Sequence, residues 1–230
     1  MSPTRFTVKL FVMTLAIVVA CESVSLAQRG GRRRGRRETN AISLAALQQV
    51  QGELNVTEEQ RAQIQELFDD YRGQSQELFA GLQDLSREER AEKMVELRGE
   101  RGKLAAESRK KLAGLLKEDQ LKRLHQIVIQ ALGGRSLARD DVAKALGLTD
   151  EQREQIKAIV DSEQDRRRTL IEKVQSGAIE RSEIRAEFAT MRNEISDAAL
   201  GLLSDDQKES LTKLQGEKFE LQQQPGGRNS

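Results

Sequence analysis

The chain has 230 residues, with 38 Lys and Arg against 37 Asp and Glu, one third charged residues, 3% aromatics, one His, one Cys, two Pro and no Trp. These counts suit one domain or two small ones. They exclude an intrachain disulfide scaffold, a zinc ribbon or His-rich metal site, and any His-dependent catalytic triad that does not use His125.

The first segment is an address. Arg5 and Lys9 supply a positive start, and Leu10 to Ala20 form an apolar run too short to span a bilayer and suited to a signal sequence. Two processing sites follow. Ser25-Leu26-Ala27 places small residues at the −3 and −1 positions, so that the mature chain begins at Gln28. Val18-Val19-Ala20-Cys21 instead resembles a lipobox, which makes Cys21 a lipidated first residue. Cleavage before Gln28 is the favoured route, with lipoprotein anchoring at Cys21 as the alternative. Either route exports the protein to the periplasm or beyond, and cleavage before Gln28 leaves no Cys for an oxidising compartment to attack.

Gln28 to Arg37 follows, with Arg29, Arg32, Arg33, Arg34, Arg36 and Arg37 among three glycines. Residues 28–41 are therefore expected to form a disordered arm. The arm carries about +6 and residues 38–230 about −6. It reads either as a solvated spacer or as a tether to an anionic envelope surface. Nucleic acid is not expected as a partner, because no aromatic residue interleaves the arginines.

Beyond the arm no proline occurs until Pro225, and apolar residues recur at helical spacing. One stripe runs through Ile64, Leu67, Phe68, Tyr71, Leu78, Leu82 and Leu85. Another takes Ile156, Ile159, Val160, Leu170, Ile171 and Val174, interrupted by Glu163 and Arg167. A third takes Ile184, Phe188, Met191, Ile195, Ala198 and Leu202. Gly73, Gly81, Gly99, Gly102 and Gly201 fall inside the predicted helices. Thin stripes with charged opposite faces require helices that pack on one another. The fold class is therefore all-α, with long amphipathic helices.

The chain also repeats. Val50 to Gln60 matches Val142 to Gln152 at an offset of 92, and Leu115 to Gln120 matches Leu202 to Gln207 at an offset of 87. The domains are read as a signal peptide at 1–27, the arm at 28–41, a first helical unit at 42–133, a second at 134–220, and a disordered tail at 221–230. Gly133-Gly134 marks the join. Thr57-Glu-Glu-Gln60, Thr149-Asp-Glu-Gln152 and Ser204-Asp-Asp-Gln207 are capping boxes, with acids suited to the positive helix end. Lys117-Glu-Asp-Gln120 lacks the hydroxyl, and there Leu121 can staple to Leu116 instead. Val56, Leu148 and Leu203 precede the caps and can pin the incoming chain to the core. Ser86 and Ser182 are expected to start the third helix of each unit, and Asp140-Asp141 a short helix ending at Gly147.

At these positions the chain resembles the LTxxQ-motif periplasmic family, typified by the chaperone Spy and its relative CpxP. The motifs stand as Val56-Thr57-Glu-Glu-Gln60, Leu116-Lys-Glu-Asp-Gln120, Leu148-Thr149-Asp-Glu-Gln152 and Leu203-Ser204-Asp-Asp-Gln207. The family unit carries two motifs in an all-helical hairpin, so four motifs look like two such units in tandem. The resemblance implies an envelope protein that binds unfolded or envelope protein clients without ATP, or that responds to envelope stress. The alternatives are a structural adaptor module that binds a fixed partner or itself as a homo-oligomer and, less favoured, a periplasmic metal sensor. No cofactor, metal ligand or catalytic residue is assigned. His125 reads as a boundary residue, and the side chains of Asp69-Asp70 and Asp140-Asp141 point about 100° apart on a helix. Arg166-Arg167-Arg168 reads as a solvated face or as the basic part of a concave one. Thr149→Ala is expected to lower stability by about 1 kcal/mol through loss of the cap. A thermal melt checks this, and an unchanged midpoint contradicts the assignment.

Overall fold

The computed structural model describes residues 40–180 and 182–221. Cys21, the six arginines of the arm and residues 222–230 lie outside the described residues. The helices are α1 (Ala41–Ala45), α2 (Gln48–Glu53), α3 (Glu58–Leu78), α4 (Arg87–Leu115), α5 (Glu118–Leu132), α6 (Asp140–Ala145), α7 (Asp150–Gln175), α8 (Ile184–Leu200) and α9 (Asp205–Gln215). Short 3₁₀ turns occupy Leu82–Asp84 and Gly133–Ala138, and the described residues contain no strand. The fold is all-α, as the stripes require, and it is built on two helical hairpins, α3 with α4 and α7 with α8.

Each hairpin is rooted in its own core. Ile42, Leu44, Val50, Leu54, Ile64, Leu67, Tyr71, Leu112 and Leu124 belong to the first. Leu137, Val142, Leu146, Leu148, Ile156, Ala199, Leu203 and Leu211 belong to the second. The repeat is legible here in three dimensions. Ile64 and its counterpart Ile156 are both 0% exposed, each burial contributing about 1.5–3 kcal/mol. Asn55 takes the left-handed conformation (φ 48°) that Gly147, its counterpart at the same offset, takes at φ 60°.

The two cores share α5. Leu124, Ile127 and Val128 pack into the first, whereas Ile129 packs into the second. This explains why α5 carries apolar residues on more of its circumference than its neighbours do. Gly133 and Gly134 are part of the same junction. The Gly134 amide donates to Ser196 Oγ of α8 at 2.8 Å. A Cβ on Gly134 would stand 2.3 Å from the Ser196 carbonyl oxygen, so these glycines permit a close backbone approach as well as joining the halves.

Several expectations need correction. The arm does not extend to 41: Asn40 caps α1, its Oδ1 accepting from the Ser43 amide at 2.8 Å, and its Nδ2 donates to the Tyr71 hydroxyl at 3.4 Å. The tail does not begin at 221, because Leu221 and Phe219 pack against the first core although they follow the second unit. Ser86 caps α4 with a full capping box, but Ser182 does not cap α8. A capping residue needs extended backbone; the residue before α8 is Glu183 in the right-handed helical region, so α8 is entered through a turn, and Ser182 Oγ donates to Glu180. In the third stripe the buried alanine is Ala199 rather than Ala198. Leu82, Leu85 and Gly81 fall in the turn between α3 and α4, where Gly81 has φ 80°, and Gly201 ends α8.

Gly134→Ala is expected to destabilise by about 1–3 kcal/mol, because the backbone of α8 would have to withdraw. Gly102→Ala, with nothing within 4 Å of the added Cβ, is expected to be stabilising by about 0.5–1 kcal/mol. Chemical denaturation of both variants checks the pair of signs.

Candidate functional site

The four motif glutamines meet in two pairs, one at the root of each hairpin. Gln60 begins as the expected capping residue. Its amide donates to Thr57 Oγ1 at 3.1 Å, and its Oε1 accepts from the Thr57 amide at 3.0 Å. Its Nε2 then leaves the helix, donating to the carbonyl of Leu115, the last residue of α4, and to Gln120 Oε1, both at 2.8 Å. Gln120 answers: its Nε2 donates to Gln60 Oε1 at 3.2 Å and to the Leu54 carbonyl at 3.1 Å, while its Oε1 accepts from the Lys117 amide at 2.9 Å.

The second half repeats the arrangement. Gln152 Nε2 donates to the Leu202 carbonyl at 2.9 Å and to Gln207 Oε1 at 2.8 Å, and Gln207 Nε2 returns a bond to Gln152 Oε1 at 3.1 Å. The boxes at Thr149 and Ser204 are complete. Lys117 contributes only its backbone amide, as the missing hydroxyl requires. Val56, Leu116, Leu148 and Leu203 are all buried beneath these caps. Each pair thus ties the start of one helix to the start of another and to the carbonyl that ends the returning arm. The motif residues form a joint.

Sequence reasoning assigned these glutamines to capping alone and missed the pairing. The signal was present, since all four motifs place Gln, never Glu, at the third helical position, whereas the separate box at Ser86 places Glu89 there. Glu caps equally well but has no donor to give a partner.

Other singled-out residues lie elsewhere. Glu163, read as an interruption of a stripe, is 7% exposed and pairs with Arg135 at 3.4 Å and Arg167 at 3.8 Å. Arg167 also lies over the Phe188 ring at 5.0 Å. Arg166 pairs with Glu194 of α8, and Arg168 with Asp165, so the arginine run divides between the two helices. Arg166 and Glu194 line a shallow groove of about 240 Å³ between α7 and α8, with Leu170, Lys173, Glu187 and Met191. Asp140-Asp141 starts α6 as expected. Arg139, hydrogen-bonded to Asp141, holds that carboxyl well down, at about 2. His125 bridges α5 to it at 3.0 Å and is partly exposed. Among the described residues no group of three or more His, Cys, Asp or Glu is placed to hold a metal ion, and no helix is long and apolar enough to cross a membrane.

Residues 45–128 match a family model described as LTXXQ motif family protein. That span holds the whole Gln60–Gln120 pair, so the resemblance read from the motifs is met there. The Gln152–Gln207 pair repeats the geometry outside the matched span. No curated protein and no solved structure gave a match.

The reciprocal pairing makes a quantitative forecast. Gln60→Ala and Gln120→Ala are expected to couple by about 0.5–3 kcal/mol in a double-mutant cycle, because either substitution breaks the same bonds. Gln60→Ala and Gln207→Ala, in separate joints, are expected to add to within about 0.5 kcal/mol. Urea denaturation of the two cycles distinguishes a joint from four independent caps.

Proposed function

We propose that this chain is an exported envelope protein that holds unfolded or partly folded client proteins without ATP, using the outer halves of its two hairpins. The observation that carries this reading is where burial stops. Between Tyr71 and Leu97, around the tip of the first hairpin, no described side chain is buried. Between Glu163 and Met191, around the second tip, the same is true. Two helices alone cannot cover each other's apolar stripes, which in a domain face a third element.

The exposed large hydrophobic side chains, among the described residues, are Met94, Val95 and Ile171, and all three stand on these outer halves. Charged neighbours surround them, including Lys93 with Glu96, paired at 2.6 Å, and Arg168 with Asp165. Apolar surface in such a setting stays soluble while remaining available for low-specificity contact. The cores at the roots keep the scaffold folded while the tips are engaged. No step of this reading requires a nucleotide, a metal or a catalytic group.

The test is suppression of aggregation of a chemically denatured model protein at near-stoichiometric ratio, without ATP. The wild-type chain is expected to suppress. The combined Met94→Ser, Val95→Ser and Ile171→Ser chain is expected to need on the order of tenfold more protein for the same effect, at an unchanged melting temperature. Absence of suppression by the wild-type chain at about tenfold excess, with sedimentation showing a tight oligomer that covers these residues, would favour the adaptor reading instead.

A further inference from the structure

Residues 216–221 form no helix and lie against α5, whose side chains bind their main chain. Gln130 Nε2 donates to the carbonyls of Gln215 and Glu217, both at 2.7 Å, and Gln130 Oε1 accepts from the Phe219 amide at 2.8 Å. Arg123 Nη1 donates to the Glu217 carbonyl at 2.9 Å. The guanidinium is itself held in place, its Nε donating to Glu53 Oε1 at 2.7 Å and its Nη1 to Gln126 Oε1 at 3.0 Å. Arg123, Gln126 and Gln130 stand three and four residues apart, so they line one face of α5. The segment runs so close to this face that a Cβ on Gly216 would come within 2.4 Å of the Gln126 amide.

The side chains of the segment alternate. Phe219 and Leu221 are half-buried against the first core, while Lys218 and Glu220 are exposed and pair with each other at 2.6 Å. Alternation with period two is the pattern of an extended chain. The hydrogen bonds to α5 come from main-chain groups, and the apolar contact asks only for two hydrophobic side chains two residues apart. Recognition of this kind does not depend on covalent attachment to α9, and it reads any extended segment of that pattern.

We propose that this face of α5 is a binding groove for an extended segment of another polypeptide with apolar side chains at alternate positions, and that residues 216–221 are its resident, displaceable occupant. The groove is distinct from the hairpin tips and does not depend on the client reading. When an outside segment enters, the resident strap leaves the edge of the first core.

The experiment uses the full-length chain and a labelled synthetic peptide, Gly-Glu-Lys-Phe-Glu-Leu-Gln, with binding read by fluorescence anisotropy. Phe219→Ser with Leu221→Ser loosens the resident strap. That chain is expected to bind the peptide on the order of tenfold or more tightly than the wild type, because the competing occupant is weakened. Adding Gln130→Leu is expected to reverse the gain. A peptide with Ser in place of both Phe and Leu is expected not to bind. A loosened chain of native helix content that binds no better than wild type overturns the proposal. Should the double variant fail to fold, the wild-type chain decides: millimolar peptide must shift the Phe219 amide and Gln130 side-chain amide resonances, and unmoved resonances overturn the proposal. No client protein is present in these measurements, so their failure leaves the client reading standing, and failure of the aggregation assay leaves the groove standing.

Discussion

The amide–amide pairing of Gln60 with Gln120, repeated by Gln152 with Gln207, is the constraint on which the rest of the molecule hangs. A carboxamide carries an acceptor and two donors on one rigid plane. In each joint the acceptor serves its own helix start, one donor serves the partner's acceptor, and another bond reaches a carbonyl that ends or precedes a helix. Helix termini leave unsatisfied backbone groups that are costly to bury. Bringing several termini to one place lets a few side chains satisfy them together. A long hairpin arm that leaves such a joint must return to it, and this sets the direction of α3 against α4 and of α7 against α8.

From the joint outward, stability falls along each hairpin. The roots hold Ile64, Tyr71, Leu112, Ile156 and Ala199 among their fully packed residues, and the outer halves hold none that is described. Local opening free energy follows buried apolar contact. The same molecule therefore has well-anchored roots and thin tips without needing different helix sequences for the two. At the tips, exposed apolar residues such as Val95 stand among charged neighbours, and the proposed client reading rests on that surface.

The halves share their motifs in sequence but are not separate beads. α5 gives Ile127 and Val128 to one core and Ile129 to the other. The Gly133-Gly134 turn brings its backbone against Ser196 of α8. Phe219 and Leu221, which follow the last helix of the second half, return to the core of the first. The halves differ where they are joined: the first ends in a helix with two apolar faces, while the second ends in a helix and a strap.

Residue order alone determined the helical class, the long segments, the repeat, the caps at Thr57, Ser86, Thr149 and Ser204, and the short helix at Asp140. All of these rest on interactions within about four residues, which a linear sequence displays. Tertiary structure decided what depends on pairs brought together from afar. It turned four capping glutamines into two joints across separations of 60 and 55 residues. It buried Glu163, which the period had marked as a flaw, by supplying Arg135 from the junction turn. It left Ser182 without a capping role, because the preceding turn set the backbone of Glu183. It laid residues 216–221 along α5, since a side-chain amide that binds a main chain does not depend on which side chains the bound segment carries.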